Sequence, residues 1–211
     1  MTAHKKKLID EVLEHRTKHV TFVLEDIYHT QNASAVIRTC DCFGIQDLHV
    51  IEDKHEFDVN PRVVRGSSKW VSLFKYQDQK NNTETCFKAL RKKGYKILAT
   101  SPEKDCLSIH DIDMTEPVAI VFGTEITGIS DYVREQADGL VTIPMYGFTE
   151  SLNISVSAAI CANVIMEKLF RTSLDWRLTD EEKDEIKLEW YRAIVHRSDI
   201  LEKQFLKSIN H

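Results

Sequence analysis

Ser151 and Asn153 are the residues whose type and position are best suited to holding or orienting a ligand. They follow a β-branched run from Val141 to Met145 and a turn at Gly147, and a long apolar segment follows them. This order predicts a strand, a loop and a helix. At the start of a helix, polar side chains lie beside free backbone N–H groups and the positive end of the helix dipole. Two interpretations are open: these residues cap the helix, or the loop and first turn line a ligand pocket.

The helix predicted to follow, up to Phe170, is apolar around most of its circumference. Leu152, Ile154, Val156 and Ile160 contribute to this distribution. A helix with one apolar stripe covers a single core, whereas a helix apolar all round is buried on several sides. We therefore expect this helix to pack against more than one neighbour.

The sequence lacks the motifs of several common ligand sites, which argues against those sites. The turn after the first predicted strand reads EDIYHTQN and lacks the G-x-G-x-x-G of dinucleotide-binding proteins, and GTEITG lacks the G-K-[ST] of a P-loop. The nine histidines show no paired i, i+4 spacing with a third ligand, and the five cysteines are odd in number and scattered. We predict no metal site and no disulfide framework, so the cysteines are expected to be reduced thiols.

The composition, 42% hydrophobic and 29% charged over 211 residues, is that of a soluble globular protein with one main domain. Met1 to Lys7 lacks the apolar region of a signal peptide, and no apolar run reaches the roughly 18 residues of a membrane span. We expect no membrane association and a cytoplasmic location.

The net charge of −5 conceals a strong asymmetry. Between Asn60 and Thr100 there are ten Lys or Arg against two Asp or Glu, whereas between Ser101 and Ile143 there are two against nine. A localised basic patch is what binding to phosphates requires, so RNA or DNA remains a candidate partner. The alternative is a solvated helix face around Arg91 to Lys93.

Strands and helices alternate along the chain, which predicts a mostly parallel sheet with helices on both faces. Ligands bind such sheets beyond the carboxyl ends of the strands. Three polar or glycine-bearing turns are expected there, at residues 99–101, 123–125 and 145–147. The polar connection from His55 to Ser68 is a candidate substrate loop.

The predicted strands are Val20–Leu24, Leu48–Ile51, Val71–Tyr76, Tyr95–Thr100, Val118–Phe122 and Val141–Met145. The predicted helices include Thr2–Lys18, Asn32–Phe43, Thr83–Lys93 and Asp131–Gln136.

Three segments, in order and spacing, resemble the three motifs of the SpoU or TrmH branch of the SPOUT RNA 2′-O-methyltransferases. They read NASAVIRT from Asn32, VFGTEITG from Val121, and IPMYG from Ile143 continuing to ESLNIS from Glu150. Thr124 departs from the pattern, because many relatives carry Asn there. The resemblance covers roughly residues 20–170, and the charged C-terminal extension resembles that of tRNA guanosine-18 methyltransferases.

The resemblance implies a deep trefoil knot in the C-terminal half of the sheet, a homodimer, and S-adenosylmethionine held by the knotted loops. It divides the chain into an N-terminal helical extension (residues 1–19), a methyltransferase domain (20–170) and a C-terminal helical extension (171–211) expected to bind RNA. The methyl donor would lie against Thr100, Gly123, Ile143 and Leu152. A second subunit would then cover one side of the long apolar helix.

The resemblance also implies a catalytic and substrate-facing set, made up of Asn32, Arg38, Glu125, Ser151 and Asn153. Arg38 would accept the proton of the ribose 2′-OH, or it would anchor the adjacent phosphate and leave the proton to solvent, since a guanidinium is almost never neutral. Ser151 would cap the helix. The alternative role for Glu125 is to accept hydrogen bonds from backbone N–H groups of its turn.

The implied function is methyl transfer to a ribose 2′-OH of tRNA, at guanosine 18. Ribosomal RNA or another tRNA position is an alternative target. An RNA-binding module without activity is an alternative of another class.

Overall fold

The computed structural model of the protein describes residues 2–54, 57–77, 80–103 and 105–209. The predicted substrate loop and the two predicted extensions include some of the positions outside these ranges. Those positions are Met1, His55, Glu56, Asp78, Gln79, Lys104, Asn210 and His211.

A parallel sheet, seven strands wide in the described residues, forms the centre of the fold. The strands are β1 (Val20–Glu25), β2 (Asp47–Ile51), β3 (Ser72–Tyr76), β4 (Lys96–Thr100), β5 (Leu107–Ser108), β6 (Val118–Phe122) and β7 (Gly139–Thr142). Their order across the sheet is β3-β2-β1-β6-β4-β7-β5, and neighbouring strands run parallel. The predicted α/β class is confirmed. The two-residue β5 was not predicted, because it is too short to show a periodic pattern.

The helices are close to their predicted positions along the chain. They are α1 (Ala3–Leu13), α2 (Thr30–Phe43), α3 (Pro61–Val64), α4 (Asn82–Lys92), α5 (Asp131–Gln136), α6 (Ile154–Arg171), α7 (Asp180–Ile194) and α8 (Ser198–Ile209). Gly44 ends α2 in the left-handed conformation, with φ 78°, which a residue with a Cβ adopts at a cost. α3 lies within the predicted substrate loop, so part of that connection is helical.

Alternate residues of the strands point to opposite faces of the sheet and build two cores. On one face, Phe22, Ile120 and Leu98 pack with side chains of α2 and α6. On the other face, Val23 and Val121 pack with side chains of α4 and α5. Helices therefore cover both faces, as the sequence predicted.

Contacts divide the chain into two compact units, residues 17–176 and residues 2–16 with 177–209. In the second unit, α7 begins with a capping box formed by Thr179 and Glu182. Lys187 pairs with Asp10 at 2.5 Å. The Arg16 guanidinium lies 5.1 Å from the centre of the Trp190 ring. The three-domain division with boundaries after residues 19 and 170 stays a prediction, as does the knot.

The described helices include none that is both long and apolar enough to cross a membrane.

Candidate functional site

A cavity of about 380 Å³ opens beyond the carboxyl ends of β4, β6 and β7. Parallel sheets bind ligands at this edge, because loops from neighbouring strands meet there. The cavity is lined by all four residues expected to contact the methyl donor, Thr100, Gly123, Ile143 and Leu152. It is lined as well by Ser101, the last residue of the predicted turn at residues 99–101.

The loop after β6, residues 123–130, forms one wall of this cavity. The Thr124 N–H donates to the Gly128 carbonyl at 2.9 Å, and the Gly128 N–H donates back to the Thr124 carbonyl at 3.1 Å. A Cβ added at Gly123 would lie 2.2 Å from the Gly128 carbonyl carbon, which is closer than real Cβ atoms approach. Gly123 is therefore required for the loop to fold back on itself.

Thr124, the departure from the family pattern, serves this turn. Its hydroxyl oxygen accepts a hydrogen bond from the Thr127 N–H at 3.0 Å and lies 2.7 Å from the Thr127 hydroxyl. Thr124 therefore stabilises the conformation of this loop.

Three residues from the three motifs form a continuous hydrogen-bond network at the site. The Asn32 amide donates to Glu125 Oε1 at 2.5 Å, and the Asn153 amide donates to Asn32 Oδ1 at 3.1 Å. Asn32 lies in the first turn of α2, Glu125 in the loop after β6, and Asn153 immediately before α6. The fold brings these side chains together across separations of 93 and 121 residues.

The start of α6 corrects two details of the sequence prediction. The helix begins at Ile154, and β7 ends at Thr142 rather than continuing to Met145. The N-cap is Asn153, whose Oδ1 accepts from the Ser155 N–H at 2.8 Å, so the prediction that Ser151 caps the helix is wrong. Ser151 is exposed and lines the cavity instead. Asn and Ser are comparable N-caps, and which of them caps depends on the path of the loop.

Ser155 belongs to the network and was not predicted. Its hydroxyl donates to Asn153 Oδ1 at 2.6 Å and so helps to fix the amide with its nitrogen toward Asn32. The available signal was its spacing, because a polar residue two positions after an Asn N-cap can share the same acceptor oxygen.

Arg38 lies at a different place from the other predicted catalytic residues. It is exposed on α2 and lines a groove of about 660 Å³ between α2 and α6. Six residues along a helix correspond to a rotation of about 240°, so Asn32 and Arg38 face different directions. Ser155 lines this groove and also bonds to Asn153, which makes the groove and the network neighbours.

Glu25 is a second residue that sequence reasoning missed. Its buried carboxylate, at the end of β1, accepts hydrogen bonds from the Ser130 N–H at 3.0 Å and the Ser130 hydroxyl at 2.7 Å. Burial raises the pKa of Glu25, although the Ser130 hydrogen bonds act in the opposite direction. Because Ser130 ends the loop 123–130 and caps α5, Glu25 anchors the cavity wall to the central strand.

The fold and the site define a class: an α/β protein with a parallel sheet, a ligand cavity at the carboxyl ends of its C-terminal strands, and a polar network on its rim. The sequence profile of the SpoU rRNA Methylase family matches residues 19–163. The chain belongs to this family.

Relatives support the assignment over most of the chain. A tRNA (guanosine(18)-2′-O)-methyltransferase of Borreliella burgdorferi is 43% identical over 202 residues, which cover 96% of this chain and 91% of that protein. The protein with the same description in Thermus thermophilus is 34% identical over 75% of this chain and 80% of its own length. Among solved structures, the A. aeolicus TrmH/SpoU tRNA modifying enzyme matches with a TM-score of 0.80 and 29% identity, covering 92% of this chain and 98% of that chain.

Proposed function

We propose that this protein transfers a methyl group from S-adenosylmethionine to the ribose 2′-OH of guanosine 18 in tRNA. The observation that carries the proposal is the network that joins Asn32, Glu125 and Asn153 on the rim of the cavity. Relatives described as tRNA (guanosine(18)-2′-O)-methyltransferases, which match up to 96% of this chain, support the choice of nucleotide.

The cavity suits S-adenosylmethionine in size and in charge. Its volume of about 380 Å³ falls within the range of small-molecule sites. The charged side chains on its wall are Glu103, Glu125 and Glu150 against Arg134, so the wall carries an excess of negative charge. Arg134 is itself paired with Glu103 at 2.7 Å. An acidic wall favours a ligand with a net positive charge.

S-adenosylmethionine supplies an electrophilic methyl group on a sulfonium centre. The protein must then hold the ribose hydroxyl in line with that group and accommodate the proton that leaves. Positioning of this kind supplies a large part of the acceleration in reactions between two bound molecules.

Asn32 and Asn153 would orient the ribose, because both amides are fixed by neighbours. Glu125 holds the Asn32 nitrogen, and Ser155 holds the Asn153 oxygen. Prealigned amides of this kind orient a hydroxyl without reorganising during the reaction. Ser151, exposed at the cavity, would hydrogen-bond near the reacting oxygen.

We assign Arg38 to a site shared between two subunits of a homodimer. The groove that contains Arg38 has a mostly apolar wall, including Val156, which is 45% exposed, and the partly buried Ile160. A second copy that packs here would cover the apolar face of α6, as expected from its apolar circumference. It would also bring Arg38 of one subunit toward the network of the other.

The basic stretch from Asn60 to Thr100 and the C-terminal extension would bind the phosphates of a folded RNA. Recognition of structured RNA depends largely on shape and phosphate contacts. The affinity for tRNA should therefore fall steeply between low and moderate salt. An affinity that does not change with salt would contradict the assignment of this patch. A tRNA substrate is also consistent with the expected cytoplasmic location.

The test combines the purified protein, S-adenosylmethionine and an unmodified tRNA transcript, with mass-spectrometric mapping of methylated riboses. A transcript in which guanosine 18 is replaced by adenosine and a ribosomal RNA fragment serve as matched substrates. We expect methylation at guanosine 18 alone. Methylation of the ribosomal RNA or of another ribose would contradict the proposed target. Tight RNA binding without binding of S-adenosylmethionine in a calorimetric titration would indicate a non-enzymatic RNA-binding module.

A further inference from the structure

Tyr146 and Phe148 are the most exposed large apolar side chains of the described residues, at 97% and 108%. Both lie in the loop between β7 and α6. Burial of an aromatic side chain is more favourable in free energy than burial of most other side chains. A fully exposed pair therefore indicates an interaction surface.

The position of this loop relates the pair to the reaction site. The loop leaves β7 through Ile143 and Met145, which line the cavity, and it ends at the N-cap Asn153. Tyr28, which is 61% exposed, stands two residues before α2, the helix that carries Asn32. Because Asn32 and Asn153 are hydrogen-bonded, aromatic side chains are present on both chain segments that lead into the network.

The chemistry of the loop indicates what kind of partner would bind. Between Ile143 and Asn153 only Glu150 is charged, and it is acidic, so the loop is poorly suited to phosphate. A flat, uncharged and polarisable partner fits two exposed aromatic rings. A nucleobase has these properties, and stacking on aromatic side chains is a common way in which proteins hold unpaired bases of RNA.

The geometry points to Tyr146 and Phe148 as stacking partners for the base attached to the methylated ribose. This inference rests on the proposed function, which places that ribose at the network. A base is bonded directly to its ribose, so it must lie close to the residues that flank Asn153. A second copy of the chain is the less favoured partner, because neither aromatic residue lines the groove assigned to the dimer.

The test compares Tyr146→Ala and Phe148→Ala with the conservative variants Tyr146→Phe and Phe148→Trp. Tyr132→Ala is the matched control. Tyr132 is a partly exposed aromatic residue that packs against Phe87, on the face of the sheet that α4 and α5 cover, opposite to α2 and α6. Each alanine variant should raise the KM for tRNA about tenfold, which is within the range of base–aromatic stacking. The conservative variants and the control should stay within about twofold of the wild type.

Two further readouts separate stacking from other roles. The affinity for S-adenosylmethionine and the salt dependence of tRNA binding should not change, since stacking neutralises no phosphate. A tRNA that lacks the base at the methylated nucleotide should bind the wild type and the alanine variants equally, because the interaction partner is already missing.

Several outcomes would overturn the inference. An equal loss on intact and abasic tRNA would mean that the pair contacts another part of the RNA. Weaker binding of S-adenosylmethionine would make the loop a cover for the cavity, and dissociation into monomers would make it a dimer contact. Unchanged kinetics of both alanine variants would exclude a role in binding. If the wild type methylates no ribose, the proposed function fails; the binding of tRNA that is intact or abasic at guanosine 18 then shows separately whether the pair stacks on that base.

Discussion

The cavity at the sheet edge and the groove between α2 and α6 differ in construction, although α6 lines both and α2 reaches the rim of the cavity through Asn32. The cavity is built from loops at strand ends and has an acidic wall, with the network on its rim. The groove is built from helix surfaces and is mostly apolar, with Arg38 in its lining. Helix α2 contributes Asn32 to the network and Arg38 to the groove. Helices α2 and α6 thus connect the ligand cavity to the groove assigned to the dimer interface. The motif residues therefore need not form one cluster within one subunit.

The largest expected effect is that of Arg38→Ala, which should lower kcat about 1,000-fold, by analogy with the loss of a group that stabilises charge in the transition state. Arg38→Lys should retain appreciable activity if Arg38 anchors a phosphate. Complete loss of activity in Arg38→Lys with intact RNA affinity would contradict the anchor role. Arg171→Ala, which removes a surface ion pair with Glu167, is the control and should have little effect.

Mixing two inactive variants tests whether Arg38 acts across the dimer. After random subunit exchange between Arg38→Ala and Asn153→Ala proteins, about half of the dimers are mixed, and each would contain one intact shared site. We expect recovery of about one quarter of the wild-type methylation rate. A mixture as inactive as its components would show that Arg38 and Asn153 act within one subunit.

Asn153→Asp separates the capping role of Asn153 from its role in the network. Aspartate still accepts from the Ser155 N–H, but it cannot donate to Asn32 Oδ1. We expect the thermal midpoint to be unchanged while kcat falls about 100-fold. Asn153→Ala should lose activity and also about 1 kcal/mol of stability, because the cap is lost. Full activity in Asn153→Asp would show that the hydrogen bond to Asn32 is dispensable.

Val156→Asp tests the groove without touching the network. A carboxylate buried against a second subunit would raise the dimer dissociation constant about 30-fold or more, which corresponds to about 2 kcal/mol. Analytical ultracentrifugation measures this shift. Leu188→Asp is a matched control, because Leu188 is 46% exposed and lies on α7. Equal dimer affinity in both variants would contradict the assignment of the groove.

The smallest expected effect is that of Gly123→Ala on the cavity. The added Cβ would meet the backbone of Gly128, so the loop 123–130 must shift and the affinity for S-adenosylmethionine should fall about tenfold. Gly139→Ala is the control, because its nearest contact is the Leu98 side chain at 3.4 Å. Calorimetric titration measures both. An unchanged affinity in Gly123→Ala would mean that this wall does not contact the ligand.

Much of the fold was predictable from local patterns. The strand from Val118 to Phe122 and the helix from Asp131 to Gln136 have the predicted bounds. The helix that contains Asn32 ends at Gly44, where a residue without a side chain adopts φ 78°. These features depend on neighbours in sequence, which is why the pattern alone identifies them.

The candidate site was predictable as a set of residues but not as an arrangement. The motif resemblance supplied Asn32, Glu125 and Asn153, and the structure joins them by hydrogen bonds. The sequence could not distinguish Ser151 from Asn153 as the N-cap, since both residue types cap helices well and the path of the loop decides. The role of Glu25 was not predicted, because its hydrogen-bond partner Ser130 lies 105 residues away in sequence.

The sequence by itself determined most of the elements, the three motif segments and the polar turns at the strand ends, because periodicity and turn chemistry are local properties. Only the tertiary structure decided that β6 lies between β1 and β4, since strand order depends on pairing between distant segments. It also decided that Asn32 faces Glu125 while Arg38 faces the groove. The physical reason is that the rotation of a helix about its axis is set by what packs against it.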